Sequence, residues 1–186
     1  LAAEMNAALP EDDNIERSAT SAEDGATSAA VLAKLRESGQ KFDLLEHEPT
    51  RTSQESCDCR VAAGWKTTIG MGAKAIVIKS KGKYNLLVMS AASTLNKKKV
   101  TKAIPGVKSL SFASEDDVFE ITGCRPGAVP PFGSCFRSAL PTYVDAGLEN
   151  AGAGTINFNC GLRTLSVQMS LADFITVENP TIVDIA

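Results

Sequence analysis

The chain has a single histidine (His47), a single tryptophan and only 5% aromatics among its 186 residues. Histidine-rich metal centres are therefore excluded, and a cysteine–histidine pair would have to use His47, which no spacing places beside a cysteine. There is no run of 18 apolar residues, so no membrane-spanning helix is expected. The acidic, alanine-rich N-terminus lacks the basic-then-apolar pattern of a signal peptide. These absences point to a soluble, cytoplasmic protein without a membrane partner. The five cysteines (57, 59, 124, 135 and 160) are odd in number and irregularly spaced, which suits a reducing compartment rather than a disulfide framework. Cys57-x-Cys59 is too tight for the usual zinc pair and no second pair follows, so neither a metal nor any other cofactor is expected.

One further absence is local. Residues 66–108 contain ten lysines and no Asp or Glu, whereas residues 1–65 carry −7 and residues 109–186 carry −6. The modest net charge of −3 conceals this asymmetry. A concentrated cationic stretch suits a polyanion, because phosphate neutralisation supplies most sequence-independent affinity. The same lysines scattered over solvated faces would mean nothing, and charge counting leaves both readings open.

The 44% apolar composition allows one substantial core. Residues 1–25, with seven acids and one arginine, read as an acidic tail with a short helix over Leu1–Leu9, and residues 26–186 as the folded domain. A chain that begins without Met and stops on a strand-like segment reads as a portion of a larger polypeptide. Val31, Leu32 and Leu35 predict a helix closed by Gly39. Thr52-Ser53-Gln54-Glu55 has capping-box form and predicts a helix to Ala63, with Cys57 and Val61 on its buried face. Ala73–Ser80 and Tyr84–Ser90 predict a hairpin, with Lys74 and Lys79 on opposite faces of the first strand. A lysine-rich helix over Asn96–Ile104, a strand over Val107–Phe112, a Ser114-capped helix to Thr122 and a Ser170-capped helix follow. Strands are expected at Phe42–His47, Thr142–Asp145, Thr155–Cys160, Thr164–Met169 and Ile182–Ile185. Helices and strands intermix, with connections too short for crossover helices, so the fold class is α+β with a mixed sheet.

Residues 123–133, Gly-Cys-Arg-Pro-Gly-Ala-Val-Pro-Pro-Phe-Gly, cannot form a helix or a central strand. They form a rigid loop whose remaining N–H groups can receive a carbonyl oxygen. Together with Gly72–Lys79 and Phe158-Asn159-Cys160-Gly161, in this order and at these separations, the chain from about Val31 to Ala186 resembles the YbaK/prolyl-tRNA-synthetase-associated editing domain family. That resemblance implies a curved, barrel-like mixed sheet flanked by helices, and hydrolysis of the ester of mischarged tRNA, with Ala-tRNA(Pro) the first-choice substrate. Ala, Ser, Thr and Cys all remain open as the amino acid removed. The implied partners are tRNA and prolyl-tRNA synthetase, in cis or in trans. A non-catalytic tRNA-binding or assembly module attached to a synthetase is the alternative.

The resemblance also implies site residues. Lys74, at the start of the central strand, would hold the terminal ribose, a phosphate or the aminoacyl group. The Gly127–Pro131 spacing matches the family's G-x-x-x-P loop, whose amides hold the reacting carbonyl. Pro130 and Pro131 have no N–H, which leaves Gly127, Ala128, Val129, Phe132 and Gly133 as donors. Asn159, Cys160 and Gly161 would line the substrate pocket, with Asn159 offering its amide and Cys160 serving as wall rather than nucleophile. Asp145 is expected to orient a neighbouring loop, and His47 to be structural.

Overall fold

The computed structural model describes residues 25–186; the expected acidic tail and its Leu1–Leu9 helix lie outside the described residues. Helix α1 (Ala26–Ser38) buries Val31, Leu32 and Leu35 and ends at Gly39 in the left-handed conformation. Strand β1 (Phe42–Glu46) and helix α2 (Ser53–Ala62) follow. The capping box of α2 is complete: the Thr52 hydroxyl accepts from Glu55 N, while the Glu55 carboxylate accepts from the backbone of Arg51 and Thr52.

A 3₁₀ turn (Ile69–Met71) leads into the hairpin of β2 (Ala73–Ser80) and β3 (Lys83–Ser90). Its two-residue turn places Lys81 and Gly82 at φ +48° and +74°, the left-handed pair that matches the twist of antiparallel strands. Helix α3 (Lys97–Ala103) is capped by the Asn96 side chain, and helix α4 (Glu115–Thr122) by Ser114. The strand expected over Val107–Phe112 shrinks to a two-residue β4 (Ser111–Phe112). The Pro105-Gly106 turn and the Val107 N–H bond to Ile104 O use up its first half, and Val107 turns into the core instead. Then come β5 (Thr142–Asp145), a short helix α5 (Leu148–Gly152) not read from the sequence, β6 (Thr155–Asn159), β7 (Leu165–Ser170), α6 (Leu171–Glu178) and β8 (Thr181–Val183).

The strands make two sheets, β1-β7-β6 and β4-β2-β3-β5-β8. The first is antiparallel; in the second, β3, β5 and β8 run parallel and the rest antiparallel. One parallel bridge, Gly72 to Asn157, ties the start of β2 to β6, so the two sheets curve around a common core. This is the expected α+β architecture. The main core, including Val31, Leu35, Val77, Leu86, Phe132, Phe158 and Phe174, fills the space between the sheets and α1. Ile78 and Leu87, on the opposite face of the larger sheet, pack with Val100 of α3, with Ile104 just after that helix and with Ile185. Strand β2 is therefore covered on both faces, and its partly open N-terminal edge becomes the place for a site.

Candidate active site

At that edge lies a cleft of about 360 Å³, lined by residues from β2, β6, the start of α2 and the Gly127 loop. Lys74, Gly127, Val129 and Asn159 all reach it, from positions up to 85 residues apart in sequence. Its lining includes three cations, Arg51, Arg60 and Lys74, and no carboxylate among the described residues. Lys74 is part-buried and donates to Ser93 O at 3.0 Å. No carboxylate compensates the water it loses, so burial lowers its pKa from the usual lysine value.

Arg60 is the residue that sequence reasoning missed. Cys57 is buried on α2 as expected, but it is joined there by Ser56 and Arg60 and not by Val61; Val61 is 52% exposed and Arg60 only 4%. The helix turns a polar stripe inward because it borders the cleft, not the apolar core. Arg60 donates through Nε to Ser166 Oγ at 3.0 Å, through one Nη to Asn157 Oδ1 at 2.6 Å and through the other to Asn159 Oδ1 at 2.8 Å. Burial lowers its pKa to about 10, which leaves it charged at neutral pH. A guanidinium has five N–H donors, so two remain uncommitted at the cleft. A sequence signal existed in the polar spacing of Ser56 and Arg60, but apolar periodicity hides it.

This fork also fixes the orientation of Asn159. With its oxygen facing Arg60, the Asn159 amide nitrogen donates to Gly127 O at 2.8 Å and to the hydroxyls of Thr50 and Ser56 at 3.2 and 3.3 Å. The loop is pinned at neighbouring points too: Arg163 donates twice to Pro126 O, and Gly161 N donates to Ala128 O. Gly127 adopts φ +90° with its α-carbon pressed against Arg51, where a Cβ would come within 2.8 Å of the Arg51 carbonyl oxygen. Of the expected donors, Ala128 N–H is spent on Arg125 O and Gly133 N–H on Thr142 Oγ1. Gly127 and Val129 line the cleft and, among the described residues, their N–H groups carry no internal bond.

The remaining expected residues lie elsewhere. Ala128, Phe132 and Cys160 are fully buried, and Pro131, Gly133 and Gly161 are buried behind the loop and do not line the cleft. Phe132 stacks against Phe158 and Phe174 in the core. Burial pushes the Cys160 thiol up, the opposite of an activated nucleophile. His47 bonds Glu48 O and Ser166 Oγ, and burial lowers its pKa. Asp145 accepts from the backbone N–H groups of Gly147, Ile185 and Ala186, orienting the chain around β8.

Comparison with known proteins follows the same line. Residues 47–177 match the model of the aminoacyl-tRNA editing domain. The chain is 30% identical over 162 residues to the Multifunctional Ser/Thr-tRNA deacylase ProXp-y of Escherichia coli K12, covering 85% of this chain and 92% of that protein. It is 26% identical to the proline–tRNA ligase of Methylobacillus flagellatus over 78% of this chain but 25% of the ligase. A crystal structure of a putative trans-editing enzyme for prolyl tRNA synthetase superposes with a TM-score of 0.71 at 24% identity, covering 86% of this chain and 96% of that one. No helix among the described residues is long and apolar enough to cross a membrane.

Proposed function

The chain belongs to the aminoacyl-tRNA editing domain family and is an aminoacyl-tRNA deacylase; from that premise, we propose that the acid-free cleft is where the ester of mischarged tRNA is cleaved, and that Lys74 and the Gly127 loop carry the reaction. The observation behind this reading is the convergence of Lys74, Gly127, Val129 and Asn159 on one cleft with no carboxylate in its lining. In this mechanism the ester carbonyl oxygen takes the N–H groups of Gly127 and Val129. Water adds to the carbonyl carbon, and the oxygen gains negative charge. The bond to the ribose oxygen then breaks, and that oxygen takes a proton, releasing amino acid and tRNA. Donors aimed at the developing charge are worth on the order of 3 kcal/mol each, enough to hydrolyse an ester that is already activated. The neighbouring ribose hydroxyl orients the water, and the Lys74 ammonium holds the ribose or phosphate by charge-assisted hydrogen bonds.

Ala-tRNA(Pro) is the first substrate to test, because the family resemblance puts it first. The Arg60 guanidinium and the Asn157 amide on the cleft floor give serine and threonine a specific claim beside it, since a hydroxyl there would meet donors with spare capacity. Prolyl-tRNA synthetase is the proposed partner, in cis or in trans, and the cytoplasm the proposed location. The test is single-turnover deacylation, with enzyme in excess, of tRNA(Pro) charged with Ala, Ser, Thr or Cys, beside Lys74→Ala. Cleavage of one or more by the wild type and none by a folded Lys74→Ala variant is the expected result. Full activity in the variant removes Lys74 from the mechanism.

A further inference from the structure

We infer that Phe112 and Lys97 form a stacking platform for the single-stranded 3′ end of the tRNA on its approach to the cleft. The identity of the strand rests on the deacylase reading; the geometry does not. Phe112 is 56% exposed and is the one aromatic among the exposed large hydrophobic residues described. The Lys97 ammonium stands 5.4 Å from the centre of its ring. A lone exposed apolar residue means little. Here, however, an open ring, a cation held on it and a position beside the cleft coincide.

The register supplies that position. Phe112 pairs with Ile78 of β2, and directly paired residues share a sheet face. Lys74, Ile76 and Ile78 occupy one face by the two-residue period of the strand. The ring therefore sits on the face that carries Lys74, about 14 Å along the strand from it at roughly 3.4 Å per residue. Strand β4 pairs only with Ile78 and Lys79, and the cleft, lined by Lys74, Ala75 and Ile76, opens just beyond it on the same strand. A chain that places its terminal nucleoside at Lys74 and runs toward β4 meets the ring next.

Charge selects the same occupant. Lys97, which reaches the ring, and Lys98 and Lys102 of the same helix α3 are exposed, and Lys108 is exposed in the connection to β4. The acidic first turn of α4 begins three residues after Phe112, which confines the cationic path to the α3 side. Aromatic faces take any base, and lysines take the phosphates between bases, as in other single-strand sites.

The test measures binding apart from cleavage. The probe is an RNA hairpin mimicking an acceptor stem and ending in single-stranded CCA, compared with the same hairpin cut flush. The wild type is expected to prefer the CCA-ended hairpin. Phe112→Ala should weaken that binding roughly tenfold and Phe112→Trp should retain it. Lys97→Ala should reduce the slope of log K against log salt by about one. On mischarged tRNA, Phe112→Ala should raise KM, while its cleavage of aminoacyl-adenosine, which lacks the preceding nucleotides, should match the wild type. Unchanged hairpin binding in Phe112→Ala overturns the platform, as does an equal loss on both substrates. So does a variant that loses association with a synthetase but keeps its RNA affinity. Phe112-dependent binding by a wild type that cleaves nothing would instead defeat the proposed cleavage site and leave the platform standing.

Discussion

Lys74 loses water on folding and gains a backbone carbonyl, not a carboxylate, so its charged form is held at a cost. The sign of that cost can be tested. With the folded pKa lowered, the unfolded chain binds the proton more tightly, so protonated Lys74 opposes folding. The penalty is complete below the folded value and fades as pH rises from there toward the ordinary lysine range. Lys74→Met is therefore expected to melt no lower than the wild type while losing deacylation; a lower melting temperature would show that the lysine is held there for structure. Enzyme-dependent deacylation, corrected for spontaneous hydrolysis, should fall on the alkaline side at a lower pH than an ordinary lysine allows, and Lys74→Arg should move that limb upward. At Gly127 the constraint is the backbone itself. The φ of +90° and the 2.8 Å approach of a Cβ to Arg51 O predict that Gly127→Ala costs on the order of 1–3 kcal/mol of stability. By displacing the loop amides it should also slow single turnover about a hundredfold. A wild-type rate in a folded Gly127→Ala variant would exclude the loop from the reaction.

At the scale of the element, α2 connects the cap, the loop and the cleft floor. The backbone leading into it, at Arg51, abuts Gly127, and its inner stripe carries Ser56, Cys57 and Arg60. Thr52→Ala should cost about 1 kcal/mol by leaving an end donor unsatisfied, read from chemical denaturation. The cap is also pH-dependent: backbone donors from Arg51 and Thr52 lower the Glu55 pKa, so its contribution is present above the unfolded value and lost as pH falls through the folded one. Glu55→Gln should flatten that acid-side loss. Replacing Arg60 with Met leaves the Asn157 oxygen without its donor and the Asn159 oxygen with only the Ser166 hydroxyl at 3.2 Å, and should destabilise by about 3 kcal/mol. Lys in its place keeps the charge but not the fork, and should recover stability better than it recovers activity. This helix also shows what the sequence made legible. Its start was readable because a capping box is a local hydrogen-bond pattern. Its buried face was read only at Cys57, because Val61 fits helical spacing as well as Ser56 and Arg60 do, and apolarity argues for Val61 where the neighbour is a polar cleft. Likewise the Gly127 loop was readable from its prolines and glycines. Which of its amides stay uncommitted depends on Arg125 and Thr142, and no local pattern gives those partners.

At the scale of the whole molecule, the charge asymmetry of the sequence has a spatial counterpart. Seven of the ten lysines between residues 66 and 108 are exposed; Lys74 lines the cleft, while Lys79 and Lys99 pair with Asp117 and Asp184. The pairs at Lys79 and Lys99 link β2 to α4 and α3 to the end of the chain, so those two lysines have structural work and are poor candidates for phosphate contact. The exposed ones include Lys97, Lys98 and Lys102 of α3, whose Lys97 reaches Phe112 and where no acid interrupts them in sequence. Counterion release then gives a prediction that a scattered arrangement would not. The kcat/KM for mischarged tRNA should fall steeply with salt, and the combined change of Lys97, Lys98 and Lys102 to Gln should flatten the slope by about two to three. Cleavage of aminoacyl-adenosine, which carries no phosphate chain, should be nearly indifferent to both salt and substitution. The control is Lys41→Gln, an exposed lysine just ahead of β1 in the other sheet. If that change flattens the slope as much per lysine as the α3 set does, the tRNA is held by diffuse charge, and the path from cleft to α3 is not its route.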